Sequence, residues 1–341
     1  MNWQNMLVLS FWINCSVFLG AIVGQARPTA QITVLVRGDD GLAVTGIVIC
    51  ASTFQRQVSG DHFGRAESRI VEGSTDSKGT ITLTIPCLSG EVTYGTHLPL
   101  VGYYWSKGDR ICFTDTEAGK WKPWNPTVEL LLKKIVNPIP MYAKKVGVHK
   151  KDGGQTALKT LEAAGYDLEK GDWVLPFGKG ETSDFIFRLE TEPKRTSQNK
   201  FKHDVELFDA KFTLSFSNVG DGIQAVTGSP SALRLSRVAP DRGYEPSLLR
   251  RNYRTKPDEP IHSEIKENRN YFFRIRTRMD EQGNIISALY GKIHGDIEWG
   301  HGGWVRFVYY LNPTSNDRNM EFDPTKNLFK KLTSLEEVHD P

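Results

Sequence analysis

Alternation of apolar and polar residues with a period of two is the sequence feature that most constrains the fold. Three stretches rich in Ile, Val, Leu and Thr show it clearly: residues 31–36, 80–85 and 127–130. Successive side chains of a strand point to opposite faces, so the pattern predicts strands with one buried face. Turn sequences rich in Gly, Asp and Ser divide these stretches at 38–41, 75–79 and 88–90. Short strands joined by such turns predict an antiparallel β-sandwich.

Two of these turn regions carry a resemblance to a known family. Residues 36–46 read Val-Arg-Gly-Asp-Asp-Gly-Leu-Ala-Val-Thr-Gly, and residues 74–80 read Ser-Thr-Asp-Ser-Lys-Gly-Thr. Together they resemble the pattern D-G-x-P-V-x-G followed by T-D-x-x-G of carboxypeptidase-regulatory, transthyretin-like domains, with Ala43 where the family favours Pro. The resemblance covers about a quarter of the chain. It implies a seven-stranded Ig-like sandwich that usually accompanies another domain, and it supplies no catalytic residues.

The second half of the chain is also rich in strand patterns. Pro138 and Pro140 predict the end of the first unit, and the basic stretch 144–154 predicts the crossing to the next. Ala157, Leu158, Leu161 and Ala164 share one face of a predicted short helix with Gly165 as its C-terminal cap. Strand patterns return at 184–189, 210–216, 271–278, 285–299 and 304–311.

The expected fold class is therefore mainly β, with two β-rich domains in tandem. The expected segments are a signal peptide (1–26), an Ig-like sandwich (27–140), a linker with a short helix (141–164), a larger β-sandwich or jelly-roll-like domain (165–329) and a polar tail (330–341). Residues 171–178, 290–293 and 309–313 resemble uncharacterised secreted bacterial proteins, and that resemblance implies no activity.

The N-terminal segment predicts export. Residues 6–24 are largely apolar and carry no charge, and Gly24 and Ala26 are small residues at the −3 and −1 positions of a cleavage site. We interpret the segment as a secretory signal, and expect a periplasmic, cell-surface or secreted protein. The alternative is an uncleaved anchor, because about 19 apolar residues approach the length that spans a membrane.

Cleavage after Ala26 leaves three cysteines, Cys50, Cys87 and Cys112, so the mature chain contains at most one disulfide. Cys87 shares the alternation of Ile81, Leu83 and Ile85 and should face the core, whereas Cys112 shares that of polar neighbours. We therefore predict a disulfide between Cys50 and Cys87.

Composition and motifs leave three classes of function open. A net charge of +3 does not indicate a polyanion binder, and the motifs GxSxG, HExxH, GxxxxGK[ST] and GxGxxG do not occur. The main hypothesis is an exported, non-catalytic binding or envelope-associated protein, with an anionic glycan as candidate ligand. The alternatives are a glycan-acting metal- or carboxylate-dependent enzyme and a structural assembly subunit. We expect no cofactor and no nucleic-acid partner, and expect membrane contact only if the N-terminal segment stays uncleaved.

Two segments suggest metal ligands. On one strand, His294 and Asp296 point to the same face, although His301 would lie about 20 Å away at roughly 3.3 Å per residue. In the loop 312–323, Asp317, Asn319, Glu321 and Asp323 offer oxygens at alternate positions, as a calcium site does. A solvated strand face and a structural turn are the respective alternatives.

The hairpin over 271–299 offers the candidate ligand-binding surface. A three-residue loop, 281–283, would pair Arg278 with Ile286, Arg276 with Ala288 and Arg274 with Tyr290. Arg274, Arg276, Arg278, Tyr290, Lys292 and His294 would then share one face, with Phe273, Ile275, Leu289 and Ile293 on the core face. Such a cationic face could bind carboxylate, sulfate or phosphate groups. The alternative is a solvated or domain-packed face whose arginines pair with local carboxylates.

Overall fold

The computed structural model describes residues 27–59, 62–97, 100–147, 163–192, 195–227, 233 and 235–341. It divides into two compact units. Unit 1 contains the described residues of 27–37, 43–98 and 107–130, and unit 2 contains those of 38–42, 99–106 and 131–341. Within the described part of the chain, no helix has the length and apolar character needed to cross a membrane. The predicted signal segment, 1–26, lies outside the described residues.

Unit 1 is built from two sheets. Its strands are β1 (Thr29–Gly38), β2 (Val48–Ser59), β3 (His62–Ser74), β4 (Thr80–Pro86), β5 (Glu91–Thr96), β6 (Ile111–Cys112), β7 (Asp115–Glu117), β8 (Lys120–Lys122) and β9 (Thr127–Leu132). One sheet has the order β4-β1-β8-β7, with β9 also paired to β1, and the other has the order β3-β2-β5-β6. Alternate residues of β1 are buried, as the sequence pattern predicts.

Unit 2 also contains two sheets. Its strands are β10 (Tyr142–Val146), β11 (Ala164–Asp167), β12 (Asp172–Trp173), β13 (Phe185–Thr191), β14 (Arg195–Gln198), β15 (Asp204–Ser215), β16 (Gly222–Thr227), β17 (Ser247–Arg254), β18 (His262–Ser263), β19 (Arg269–Met279), β20 (Ile285–Gly300) and β21 (Trp304–Asn312), followed by a 3-10 turn (Pro324–Lys326). The five-stranded sheet has the order β10-β21-β20-β19-β16. The seven-stranded sheet has the order β12-β11-β13-β15-β17-β18, with β14 also paired to β15.

Aromatic side chains from both sheets form the main core of unit 2. Phe185, Phe187 and Phe212 from the seven-stranded sheet join Phe273 and Phe307 from the five-stranded sheet in one cluster. The ring centroids of Phe185 and Phe273 are 5.0 Å apart in an edge-on arrangement. The predicted mainly β fold is therefore confirmed, and in unit 2 the two sheets pack face to face.

The predicted helix cap is wrong. Residues 157–162 lie outside the described residues, but Gly165 lies in β11, opposite Ile186 of β13. A Cβ at Gly165 would overlap the side chain of Ser183, so glycine is required by close packing in a strand. A glycine after an apolar run was a poor indicator of a helix end here.

The predicted disulfide between Cys50 and Cys87 is also absent, and both residues are free thiols. The neighbours of Cys50 on β2, Ile49 and Ala51, are fully buried, so Cys50 points to the other face of its strand and donates to the carbonyl of Gly95. Cys87 is fully buried and donates to the carbonyl of Glu91. The two thiols therefore face different surroundings. Cys112 is exposed.

Gly291 permits close packing at the centre of the five-stranded sheet. It lies on β20 opposite Phe273 of β19, and a Cβ there would overlap the Phe273 ring and the carbonyl oxygen of Tyr310. Both neighbours are fully buried. We predict that Gly291→Ala lowers the free energy of unfolding by about 1–3 kcal/mol, the usual cost of overpacking. Urea denaturation measures this loss, and Gly302→Ala, where the added Cβ has room, is the control. Equal stability of the two variants would contradict the packing account.

Candidate functional site

The predicted cationic face of the hairpin is not a surface. Arg274, Tyr290 and Lys292 are all buried. Arg274 Nε donates to the carbonyl of Gly220 at 2.8 Å, and Lys292 Nζ donates to the carbonyl of Met320 at 2.7 Å. A second apolar cluster covers this face, and its members from distant segments include Ala239, Met320 and Phe322. The prediction of an accessible ligand-binding face at these three residues is therefore wrong, because chain segments remote in sequence pack on both sides of the sheet.

A β-bulge separates Arg276 and Arg278 from this face. Arg274 pairs with Tyr290, as predicted, but the register shifts after Ile275, and Arg278 pairs with Ser287 instead of Ile286. Arg276 lies at the bulge with a φ of 52°, a left-handed conformation that is uncommon for a residue with a side chain. The predicted pairs of Arg276 with Ala288 and of Arg278 with Ile286 are therefore wrong, whereas the predicted loop glycine, Gly283, has a φ of 82°.

Arg276 instead lies among carboxylates and joins the two sheets of unit 2. Its Nε and Nη2 donate to both oxygens of Asp184, at 2.8 and 3.0 Å, and its Nη1 donates to Glu169. Nη2 also lies 3.4 Å from Asp167. Asp221 accepts the backbone N–H groups of Arg276 and Thr277. We call Arg276, Asp167, Glu169, Asp184 and Asp221 the Arg276 cluster.

Loop backbone supplies the remaining hydrogen bonds of this cluster. Asp167 accepts the N–H groups of Glu169 and Lys170 on one oxygen and those of Glu181 and Thr182 on the other. Asp184 accepts the N–H of Leu168 at 2.9 Å. Because these carboxylates are buried, such donors are required to offset their lost hydration.

The charges of the cluster perturb its pKa values in different directions. Burial tends to raise the pKa of Asp167, but backbone donors and Arg276 outweigh it and hold that pKa below its ordinary value. For Asp184, burial prevails over the hydrogen bonds from Arg276, so its pKa is raised. Burial disfavours the charged guanidinium of Arg276, but its bonds to Asp184 and Glu169 outweigh this and raise its pKa. Arg276 therefore stays charged and provides the cation that these carboxylates need.

The predicted metal ligand Asp296 forms hydrogen bonds within the fold. Asp296 accepts hydrogen bonds from Tyr271 Oη, Arg269 Nη1 and the N–H of Lys266. The pairing register of β20 shifts between His294 and Glu298, and Gly295 there has a φ of 79°, which breaks the expected alternation. No group of three His, Cys, Asp or Glu side chains suited to a metal ion occurs among the described residues. The prediction of a metal site at His294 and Asp296 is therefore not supported.

The oxygens of the loop 312–323 are likewise engaged within the fold. Asp317 accepts from Asn312 Nδ2 at 3.0 Å, and Asp323 caps the 3-10 turn. Glu321 is fully buried: one of its oxygens accepts from Tyr104 Oη and the N–H of Val136, and the other from the N–H of Asn137. The predicted calcium loop is a structural turn.

Glu321 lies close to buried cations. Its carboxylate is 3.7 Å from Arg237 Nε. Its negative charge acts to raise the pKa of the buried amines of Lys133 and Lys292. Burial, together with the charge of Arg237, lowers the pKa of Lys133 to about 8. Lys133 Nζ donates to the carbonyl of Leu235 at 2.6 Å.

Loops held by Glu321 carry exposed apolar side chains. Tyr103 pairs with Lys134 in an antiparallel bridge, and the N–H of Ile135 donates to the carbonyl of Gly102. This register places Val101 opposite Val136, which are 90% and 64% exposed. We call the exposed apolar residues of these and adjoining loops the loop face: Leu42, Val101, Trp105, Ile135, Val136 and Val238. The sequence pattern does not reveal this face, because only the tertiary pairing makes these residues neighbours.

The sequence pattern also did not reveal that polar residues form a row on β17. Arg250, Asn252 and Arg254 alternate along β17 and pair with Phe212, Ala210 and Phe208 of β15. Their alternation in the sequence Arg-Arg-Asn-Tyr-Arg was a usable signal, but it did not indicate which face would be buried.

The chain matches no protein-family model and no curated protein. Among solved structures, it is similar to the shaft pilin SpaA from Lactobacillus rhamnosus GG (12% identity, 77% of this chain, 92% of that chain, TM-score 0.22). It is also similar to BcpA, the major pilin subunit of Bacillus cereus (10% identity, 86% and 99%, TM-score 0.21), and to a streptococcal ancillary pilin (14%, 53% and 58%, TM-score 0.21). At these TM-scores the similarity supports no inference about function.

Removing the cation from the Arg276 cluster should destabilise the fold in a pH-dependent manner. We predict that Arg276→Gln lowers the free energy of unfolding at pH 7 by about 3–5 kcal/mol, because buried carboxylates lose their partner. Without Arg276, Asp184 and Asp167 take up protons more readily, so the loss relative to the wild type should shrink as the pH falls towards 4. Urea denaturation at pH 7 and pH 4 measures this loss of unfolding free energy. The control is Arg188→Gln, at an exposed arginine of β13. A small loss at pH 7, equal to that of the control, would contradict the proposed role.

Lys133 should add a measurable pH dependence to stability. Its folded-state pKa of about 8 lies below the ordinary value of 10.5, so between these values the unfolded chain binds more protons than the folded chain. The free energy of unfolding should therefore rise with pH in that window. We predict that the wild-type value, minus that of Lys133→Met, increases by roughly 3 kcal/mol from pH 8 to pH 10.5. A pH-independent difference would contradict the perturbed pKa.

Proposed function

We propose that the protein is an exported, non-catalytic structural subunit that associates with further copies of itself through the loop face of unit 2. The observation that carries the proposal is the exposed apolar pair Val101 and Val136, placed opposite each other on paired segments. Contiguous exposed apolar surface of this kind is typical of protein-protein contacts. Export rests on the apolar N-terminal segment of the sequence.

Hydrogen bonds to Glu321 and Arg237 fix the loops that carry the loop face. Glu321 accepts the N–H groups of Val136 and Asn137 and the hydroxyl of Tyr104, so one buried carboxylate fixes both paired segments. Arg237 donates to the carbonyl of Lys134 and to Asp39, which fixes the neighbouring loops. A surface that is already ordered pays little conformational entropy on association.

The charges around the loop face favour a second copy as the partner. Arg237 donates to Asp39 and to the carbonyl of Lys134, so it joins the loop that carries Asp39 and the exposed Asp40 to the segment that carries the exposed Lys134. In a two-fold symmetric contact, each copy presents the same patch to the other, and an axis that passes between the two segments brings the acidic loop of one copy to the basic segment of its partner. The net charge of +3 over 341 residues causes little repulsion between copies.

The size of the loop face predicts weak, reversible association. Six apolar residues are far fewer than the roughly 20–30 residues a side of a standard interface, so we expect a dissociation constant on the order of 10 µM or weaker. Sedimentation velocity of residues 27–341 from about 1 to about 200 µM should show a rising weight-average sedimentation coefficient.

Val101→Glu should leave the chain monomeric over this range, because it buries a charge in the contact. Ile286→Glu, which changes an exposed apolar residue of β20, should associate like the wild type. Thermal unfolding establishes that both variants are folded. A wild type that remains monomeric throughout, or a Val101→Glu variant that still associates, would overturn the proposal.

A further inference from the structure

The row formed by Arg250, Asn252 and Arg254 carries an inference independent of self-association. In an antiparallel pair, directly opposite residues lie on the same face of the sheet. Their partners on β15, Phe212, Ala210 and Phe208, belong to the buried core between the two sheets. The three polar side chains therefore point into the inter-sheet layer. The strand beyond β17, β18, has only two residues, so the row lies near the edge of its sheet.

Several polar atoms of this row are buried and lack a hydrogen-bond partner. They are Nε of Arg250, Oδ1 of Asn252 and Nε of Arg254. Asn252 is only 6% exposed. A buried polar group without a partner costs about 1–3 kcal/mol, so such a concentration in three alternate residues is unusual for a purely structural strand.

The nearby carboxylates are already occupied. Asp296 is bound by Tyr271, Arg269 and backbone N–H groups, and Asp209 is bound by Arg251. Arg250 donates from Nη2 to Tyr271 Oη at 3.3 Å and from Nη1 to the carbonyl of Leu249. Among the residues that the structure describes, no carboxylate forms an ion pair with Arg250 or Arg254. The row therefore presents two guanidinium groups whose charge is not neutralised by a partner.

We propose that this row is a binding site for an acidic saccharide. The unpartnered N–H groups of Arg250 and Arg254 suit the oxygens of a carboxylate, which arginine binds in a planar geometry. Oδ1 of Asn252, between them, is an acceptor and needs a donor, which a sugar hydroxyl provides. An inorganic anion would satisfy only the arginines, whereas a sugar acid satisfies all three residues.

Aromatic rings stack on the cross-strand neighbours of the row. Trp299 stacks on Phe212, the cross-strand partner of Arg250, with ring centroids 5.3 Å apart. His301 stacks on Phe208, the partner of Arg254, at 3.8 Å, and its Nε2 lies 2.7 Å from Glu206. These stacks fix the positions of Phe212 and Phe208, the cross-strand neighbours of the two arginines.

Isothermal titration calorimetry of residues 27–341 with oligogalacturonate tests the proposal. The methyl-esterified oligosaccharide, which lacks the charge, and inorganic phosphate, which lacks the sugar, are the two comparison ligands. We expect binding of the acid form, at least tenfold weaker binding of the ester and at least tenfold weaker binding of phosphate. Arg254→Gln should weaken binding of the acid form tenfold or more, and Arg188→Gln, which removes an exposed charge from β13, should change it less than twofold.

Asn252→Asp gives a second test that does not depend on loss of an arginine. The new carboxylate has the shape of the amide it replaces and lies between two unpaired guanidinium groups, so the melting temperature should rise while acid binding is lost. Absence of oligogalacturonate binding, phosphate binding as tight as that of the saccharide, or equal weakening by Arg254→Gln and Arg188→Gln would each overturn the proposal. Because the row and the loop face share no residue, a failure here leaves the test of self-association unaffected.

Discussion

The bond between Arg276 and Asp184 is the interaction on which unit 2 depends. Arg276 belongs to the five-stranded sheet, whereas Asp167 ends β11 and Asp184 immediately precedes β13 in the seven-stranded sheet. The aromatic core between the sheets supplies most of the apolar burial, but apolar contact is not directional and fixes no register. A planar guanidinium bound by two carboxylate oxygens does fix the register between the two sheets. The left-handed backbone at Arg276 is the local conformation that this contact requires.

Many buried charged residues of unit 2 form hydrogen bonds that stabilise the fold. The carboxylates of Asp167 and Glu321 accept several backbone N–H groups each, and Asp184 accepts one together with two bonds from Arg276. The amine of Lys292 is enclosed by its carbonyl partner and the Tyr310 ring. Groups held in this way orient loops and are not available to a substrate. Two described features have unmet interactions: the loop face exposes apolar side chains to solvent, and the row on β17 contains buried polar atoms without hydrogen-bond partners. These two features are the basis of the proposals of self-association and ligand binding.

The sequence predicted local structure well and the face of the hairpin poorly. Alternation located the strands, and Gly283 located the loop, so the pair Arg274 and Tyr290 was correct. The bulge was unpredictable because the residue in the left-handed conformation is Arg276, with no glycine to mark it. Burial of Arg274 and Lys292 depends on segments near Ala239 and Met320, which the chain brings over the sheet from far away in sequence. Parity at Cys50 was ambiguous for a related reason, since Ile47, Val48 and Ile49 are all apolar.

Hydrogen exchange measured by mass spectrometry tests most directly whether the Arg276 cluster holds both sheets as one unit. The N–H groups of Leu168, Thr182 and Thr277 donate to its carboxylates from three different segments. Loss of one central cation should therefore affect all three segments. In Arg276→Gln, we expect peptides spanning 164–187, 216–227 and 270–280 to lose protection together, while the β1 segment of unit 1 keeps its wild-type exchange. Loss of protection confined to 270–280 would contradict the account.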